Sequence, residues 1–206
     1  MQVKNQSYIH NKQISFGAQR LFPIKLQRIL ADGTTSELDG FFSKFDDNDE
    51  ELVKKLLKIW NRRKYGNFIL SKFLHRKNLI NNLSKDDYYL IECPQLGNHE
   101  KSVVALAQTS TYKDTIYLHL LQSAGEHLPD QKIKWAGCGV IYGIVKIAQD
   151  IKTKTINLTA SSQKSAQWYK SLMFQQDNPR KASFTLRANK FSKLESSIAK
   201  KFNIKG

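Results

Sequence analysis

The sequence predicts a mixed α/β fold, with a mostly antiparallel central sheet flanked by helices and one parallel crossover. Three observations carry that expectation. YYLIEC (88–93), VVALAQTSTY (103–112) and TIYLHLLQSA (115–124) are strand-like stretches separated by short polar loops, the pattern of an antiparallel meander. KWAGCGVIYGIVKIAQD (134–150) then places a glycine pair, Gly137 and Gly139, ahead of apolar residues at helical spacing. A further strand pattern, TINLTAS (155–161), follows at once, so the helix between them must be the crossover to a parallel neighbour.

The remaining elements follow in order. Residues 1–20 are polar and without sustained periodicity, suiting a loose start or one edge strand. FPIKLQRIL (22–30) sets Phe22, Ile24 and Leu26 against Pro23, Lys25 and Gln27, a half-buried strand, and ADGTTSELDG supplies turn residues. The acidic run Asp46 to Glu51 suits a helix N-terminus, and Leu52, Leu56, Ile59 and Trp60 form the stripe of the surface helix it opens. Phe68, Ile69, Phe73, Leu74, Leu79 and Ile80 suggest a second helix broken near His75 to Asn78. SAQWYKSLM (165–173) reads as a short helix and FTLRA (184–188) as a last strand. In the tail, Phe191, Leu194, Ile198 and Phe202 share one helical face among lysines.

Composition narrows the partners. A chain of 206 residues with 40% hydrophobic content suits one globular domain, or one domain with an extension. The formal charge of +15 favours anionic partners: nucleic acid, a phosphorylated cofactor or an acidic membrane face. Only seven of the 33 basic residues are arginine, so the excess sits on lysine, which meets phosphate as a point charge without the fork that reads bases. With no secretory signal and no disulfide framework, Cys93 and Cys138 are expected to be reduced thiols in a cytoplasmic protein. No apolar run approaches ~18 residues, so no membrane span is expected. His10, His75, His99, His119 and His127 show no metal-ligand spacing, and no metal is expected.

A helix that starts at a glycine pair offers unpaired backbone N–H groups and the positive end of its dipole where no side chain blocks approach. On these residues alone, phosphate binding and a plain turn both remain open.

With the element order beside it, the pair resembles the pyrophosphate motif of the GNAT superfamily of acetyl-CoA-dependent N-acetyltransferases. That motif is Q/R-x-x-G-x-G/A. Lys134, Trp135, Ala136, Gly137, Cys138 and Gly139 match it, except that lysine stands for glutamine or arginine. A second signature, an Asn followed by Ala, then Tyr, then a Gly-Phe helix end, falls on Ser162, Ser165, Tyr169, Met173 and Phe174. Tyr and Phe are kept; Asn and Ala have become serine, and Gly has become Met173, which removes a flexible helix end. SAGEHLPDQKI, ahead of Lys134, is longer than the usual link and is expected to be a loop over the cofactor cleft or a merely tolerated surface loop.

The resemblance covers roughly residues 46–190. It divides the chain into an N-terminal extension with the first strand (1–45), a GNAT-like acetyltransferase domain (46–190) and a basic amphipathic C-terminal helix (191–206). It implies acetyl-CoA as co-substrate, with the crossover running through the pyrophosphate-loop helix. Backbone N–H groups from Ala136 to Val140 would grip the pyrophosphate. Leu120, Leu121 and Gln122 would lend backbone contacts along the pantetheine, and Ser162 and Ser165 are implied as cofactor-binding residues, Ser162 near the thiol or as a helix cap. Tyr169 is implied as general acid toward the sulfur. The base is left open among Glu126, His127, Glu92 and His119, with a water relay as the alternative. The expected reaction is acetyl transfer to a primary amine on a protein, a small molecule or an aminoacyl-tRNA, and the basic surface favours RNA or an acidic protein as its carrier. A GNAT-fold protein that binds acyl-CoA or nucleic acid without catalysis is the alternative, and a basic RNA-binding protein of another α/β fold is a third. Oligomeric state is not readable from the sequence.

Overall fold

The computed structural model describes residues 18–60, 64–76, 86–97, 102–123 and 131–202. Nine strands form one sheet: β1 (Gln19–Leu30), β2 (Thr35–Lys44), β3 (Asp86–Glu92), β4 (Val103–Tyr112), β5 (Thr115–Ser123), β6 (Gln131–Lys134), β7 (Thr155–Thr159), β8 (Gln175–Gln176) and β9 (Ser183–Arg187). Their order across the sheet is β6-β1-β2-β3-β4-β5-β7-β9-β8. β5–β7 is the one parallel pair among the described residues, and every other pairing is antiparallel. The helices are α1 (Glu50–Trp60), α2 (Lys64–His75), α3 (Ala136–Asp150), α4 (Gln163–Ser171) and α5 (Phe191–Lys201). No helix among them is long and apolar enough to cross a membrane.

The meander β3-β4-β5 and the crossover helix lie where the sequence places them. Three strands were hidden: β2, β6 and the two-residue β8. β2 occupies most of the stretch that reads as turn, because TSELDG carries a single apolar residue, Leu38, before Phe41. β6 takes the last residues of the expected loop and pairs with the end of β1, from Gln27–Lys134 to Leu30–Gln131. The rest of that segment, 124–130, lies outside the described residues, as do 77–85, where the second helix was expected to continue. Pro23 falls on the part of β1 that β6 does not cover, where a missing N–H costs the sheet nothing on that side.

α3 is buried along most of its circumference, with Val140, Ile141, Ile144, Val145 and Ala148 at 1% exposure or less. It lies close on the sheet because it carries glycine where the strands rise beneath it. A Cβ at Gly143 would stand 2.4 Å from the Phe42 ring, and that ring is fully buried and stacks on Tyr89 at 4.9 Å. Gly143→Ala is therefore expected to cost about 3 kcal/mol, the upper end of overpacking. Urea unfolding reads it directly, and an unchanged midpoint would contradict the packing.

α1 and α2 cover a second cluster. Val53, Leu56 and Trp60 of α1 are fully buried, and Phe73 of α2 meets Phe45 and Tyr88 at 5.2 and 5.4 Å. Between β1, β2 and β3, Glu92 is 2% exposed and accepts hydrogen bonds from Ser43 Oγ at 2.8 Å and Arg20 Nε at 2.9 Å. A carboxylate held this way ties three strands together and is not free to take a proton from a substrate.

Candidate active site

The site begins with a defect in the sheet. Gln108 pairs with Leu120 but Thr109 with Leu118, which leaves His119 as an extra residue on β5. Such a bulge bends its strand and raises the local twist. The parallel pairing of β5 with β7 runs from Thr115–Thr155 to Leu118–Leu158 and stops there, at the bulge. From His119 to Ser123, β5 keeps β4 on one side and has no strand on the other among the described residues. A wedge opens between β5 and β7.

The wedge leads into a cleft of about 400 Å³ lined by Leu121, Ser123, Lys134, Trp135, Gly137, Cys138, Ser161, Ser165, Trp168 and Tyr169. Among the described residues, one cation and no carboxylate line it. The floor at one end is the start of α3, whose N-cap, Trp135, holds a left-handed backbone at φ 71°. A large residue in that conformation is strained, and such strain gathers at binding and catalytic sites. Gly139 N–H already donates to Trp135 carbonyl at 2.8 Å, so the span expected to grip phosphate narrows. Only Ala136, Gly137 and Cys138 have N–H groups without a partner among the described residues.

The two glycines of the motif do different work. A Cβ at Gly137 would meet Trp168 Cη2 at 3.2 Å and Leu121 Cδ2 at 3.9 Å, filling the cleft. A Cβ at Gly139 would meet Ile24 Cδ1 at 2.7 Å beneath the helix, so that glycine serves packing on the sheet. Burial pushes the Cys138 thiol up, against the opposing pull of the Lys201 charge and a hydrogen bond from Trp168.

On the opposite wall, α4 carries Tyr169. Its ring is 7% exposed and packs against Trp168 at 4.8 Å, Phe174 at 5.7 Å and Phe184 at 6.3 Å. Burial raises its pKa to about 12, so the hydroxyl keeps its proton throughout the neutral range. Among the described residues no group hydrogen-bonds that hydroxyl. α4 is held in place by a reciprocal cap: Ser162 Oγ accepts from Ser165 N–H at 3.1 Å and Ser165 Oγ from Ser162 N–H at 3.0 Å. At its other end Met173 takes φ 65°, with Phe174 N–H bonded to Tyr169 carbonyl and Met173 N–H to Lys170 carbonyl. The turn a glycine would favour is thus kept, and methionine carries the strain of it, so the helix end is not lost as the sequence suggested.

A second groove, of about 390 Å³, lies between α2 and the strands and is lined by Phe68, Lys72, Asp86, Gln108, His119 and Leu120. His119 Nε2 is 2.7 Å from Ser110 Oγ, and its ring stacks on Tyr117 at 6.4 Å. Desolvation and the Lys72 charge hold the imidazole below its ordinary value near 6.5, with Asp86 pulling the other way. It is therefore largely neutral at pH 7 and able to accept a proton. β5 thus borders both spaces, with Leu121 on the cleft and His119 on the groove.

Of the residues singled out from the sequence, the structure gathers Leu121, Lys134, Trp135, Gly137, Cys138, Ser165 and Tyr169 around the cleft. Leu120 lines the groove instead, and the Gln122 side chain donates to the Ser123 carbonyl at 3.1 Å. Ala136, Gly139 and Val140 are buried under the helix start, and Ser162 is taken up by its cap. Glu126 and His127 lie outside the described residues. Sequence reasoning missed Ser123 and Ser161 as cleft residues, and treated Trp168 only as a packing partner; Ser161 and Trp168 adjoin motif residues, and Ser123 follows Gln122 at the end of β5.

Comparison with protein-family models finds no match, and comparison with curated protein sequences finds none. Solved structures do match. A chimera of the spermidine N-acetyltransferase SpeG from Vibrio cholerae and hSSAT is 13% identical, with a TM-score of 0.52 over 75% of this chain and 98% of that one. The ribosomal-protein-S18-alanine N-acetyltransferase from Escherichia coli is also 13% identical, with a TM-score of 0.49 over 72% and 94%. SpeG from Vibrio cholerae itself gives 13% and 0.49 over 75% and 95%. The fold is that of the GNAT N-acetyltransferases.

Proposed function

We propose that the protein is an N-acetyltransferase that moves the acetyl group of acetyl-CoA to a primary amine. The observation that supports this most is the meeting, in one cleft with no carboxylate among its described lining residues, of the unpartnered amides of Gly137 and Cys138, Lys134, a β5 edge left open among the described residues and the Tyr169 hydroxyl. Amides and lysine suit a pyrophosphate, and the strand edge suits an extended, amide-bearing chain. Acetyl-CoA supplies the activated acyl carbon and a sulfur leaving group.

The protein's part is to position and to move protons. The amine nitrogen bonds to the carbonyl carbon, the C–S bond breaks, and the products are the amide and the free thiol. His119, neutral and on the bulge, takes the proton that the amine loses. Tyr169 donates a hydrogen bond to the departing sulfur. Its pKa near 12 stands above that of an ordinary thiol at about 8.5, so it steadies the thiolate and water completes the protonation. The charge of +15 favours an acceptor carried on a polyanion.

His119→Ala is expected to lower thiol release about 10²-fold. The pH profile gives a sharper test. Deprotonation of the amine gives the logarithm of the rate a slope of about one, and protonation of His119 adds about one more below its pKa, which lies under 6.5. The variant should keep a single slope throughout; a break that survives the substitution would remove His119 from the reaction.

A further inference from the structure

The groove beside β5 holds a buried oxygen with nothing bound to it. Gln108 is 1% exposed, and its Nε2 donates to Asp86 Oδ2 at 2.7 Å. Reversing the amide would set two oxygens against each other, so the carboxylate fixes which end points where. Oε1 is thereby turned away from Asp86, and it has no hydrogen-bond partner among the described residues. Buried acceptors are nearly always paired, because an unpaired one has given up water and gained nothing. This one belongs to a side chain that lines the groove of about 390 Å³.

The surroundings indicate what the oxygen would accept. Gln108 and Ser110 stand two residues apart on β4 and so share one face of the sheet. His119 Nε2 is 2.7 Å from Ser110 Oγ, which puts the imidazole on that same face. Both Gln108 and His119 line the groove, with Phe68 and Leu120 as apolar walls and Lys72 Nζ 4.8 Å over the Phe68 ring. Among the described residues its two charges, Asp86 and Lys72, are of opposite sign, so they give an ammonium ion no net attraction. A neutral amine meets two hydrogen-bond acceptors there, the imidazole and Gln108 Oε1.

We propose that Gln108 selects the acceptor: while His119 takes one N–H proton of the amine, Gln108 Oε1 accepts a hydrogen bond from the other, so the site demands a nitrogen with two hydrogens. The inference rests on the reading of the groove as the acceptor's place beside the acetyl-CoA cleft. A primary amine satisfies both groups and keeps its lone pair free for the acetyl carbon. No proton moves to Gln108, and the product amide retains the N–H that it binds. A secondary amine has a single N–H, so it leaves either the buried oxygen or His119 unanswered, a mismatch that sites built on a hydrogen bond reject strongly. Asp86 acts through Gln108 as a positioning residue.

Thiol release from acetyl-CoA by the full chain, with butylamine or N-methylbutylamine as acceptor, tests this. The wild type should favour butylamine about 100-fold or more in kcat/KM. Gln108→Met keeps the length and bulk of the side chain without its oxygen, and should narrow that preference about tenfold by slowing the primary amine alone. The variant should bind coenzyme A as the wild type does, since no cleft residue is changed. Asp86→Asn leaves the oxygen in place but removes the charge that orients it; it should narrow the preference less, and it carries the test if the methionine variant does not fold. An unchanged preference in the folded variants, or an equal loss for both amines, would overturn the proposal. A wild type that releases no thiol with butylamine would instead remove the reading of the groove, and this inference with it.

Discussion

Tyr169→Phe is expected to lower turnover about 10²-fold while leaving acetyl-CoA affinity and thermal stability near the wild-type values. The separation follows from what the hydroxyl does and does not touch. The ring is packed on three aromatic neighbours that phenylalanine would keep, and no described group bonds the hydroxyl. The fold therefore loses almost nothing. The departing sulfur loses a hydrogen bond made to a charged atom, a contribution of about 1.5–3 kcal/mol, which is itself about 10- to 150-fold in rate. Because burial holds the phenol to about pH 12, the wild-type profile should show no loss of activity from Tyr169 between neutrality and about pH 10. An unchanged turnover in the variant would take Tyr169 out of the chemistry and leave it a core aromatic.

Gly137→Val is expected to weaken acetyl-CoA binding more than about 100-fold in a protein that still folds. Its Cβ would press against Trp168 at 3.2 Å, and the added methyls have only the space between Trp168 and Leu121 to enter. That space is the mouth of the cleft, so the side chain stands where a pyrophosphate would reach the amides. Trp168 is partly buried and can give way, which spares the fold. Gly139→Val differs in kind: its Cβ would meet Ile24 at 2.7 Å inside the sheet packing, and it should lower stability by several kcal/mol before binding can be asked about. Circular dichroism and titration on both variants check this contrast. Full affinity in a folded Gly137→Val protein would contradict the placement of the phosphate.

The features legible in the sequence were those written in local periodicity. The stripe of α3, the apolar face of α5 and the meander strands all follow from spacing within one element. The glycine pair and Tyr169 could be found because each motif is short and contiguous. What escaped depends on partners distant in the chain. β6 is four residues with one apolar side chain, Ile133, and is a strand only because the end of β1 lies beside it. The bulge at His119 is a mismatch between two strands, and neither carries it alone. The periodicity of α5 showed which face is buried, but nothing local says that the face docks on α3 and ends at Trp135. Gly143 belongs to no motif, and its reason is the ring of Phe42, about a hundred residues earlier.

The central claim is that the wedge between β5 and β7 is an acetyl-CoA site. Calorimetric titration of the wild-type chain with acetyl-CoA tests it most directly. The account predicts saturable binding of one equivalent, in the micromolar range or tighter, that Gly137→Val abolishes and Tyr169→Phe leaves in place. No heat of binding for the folded wild type, or equal binding by Gly137→Val, would contradict it.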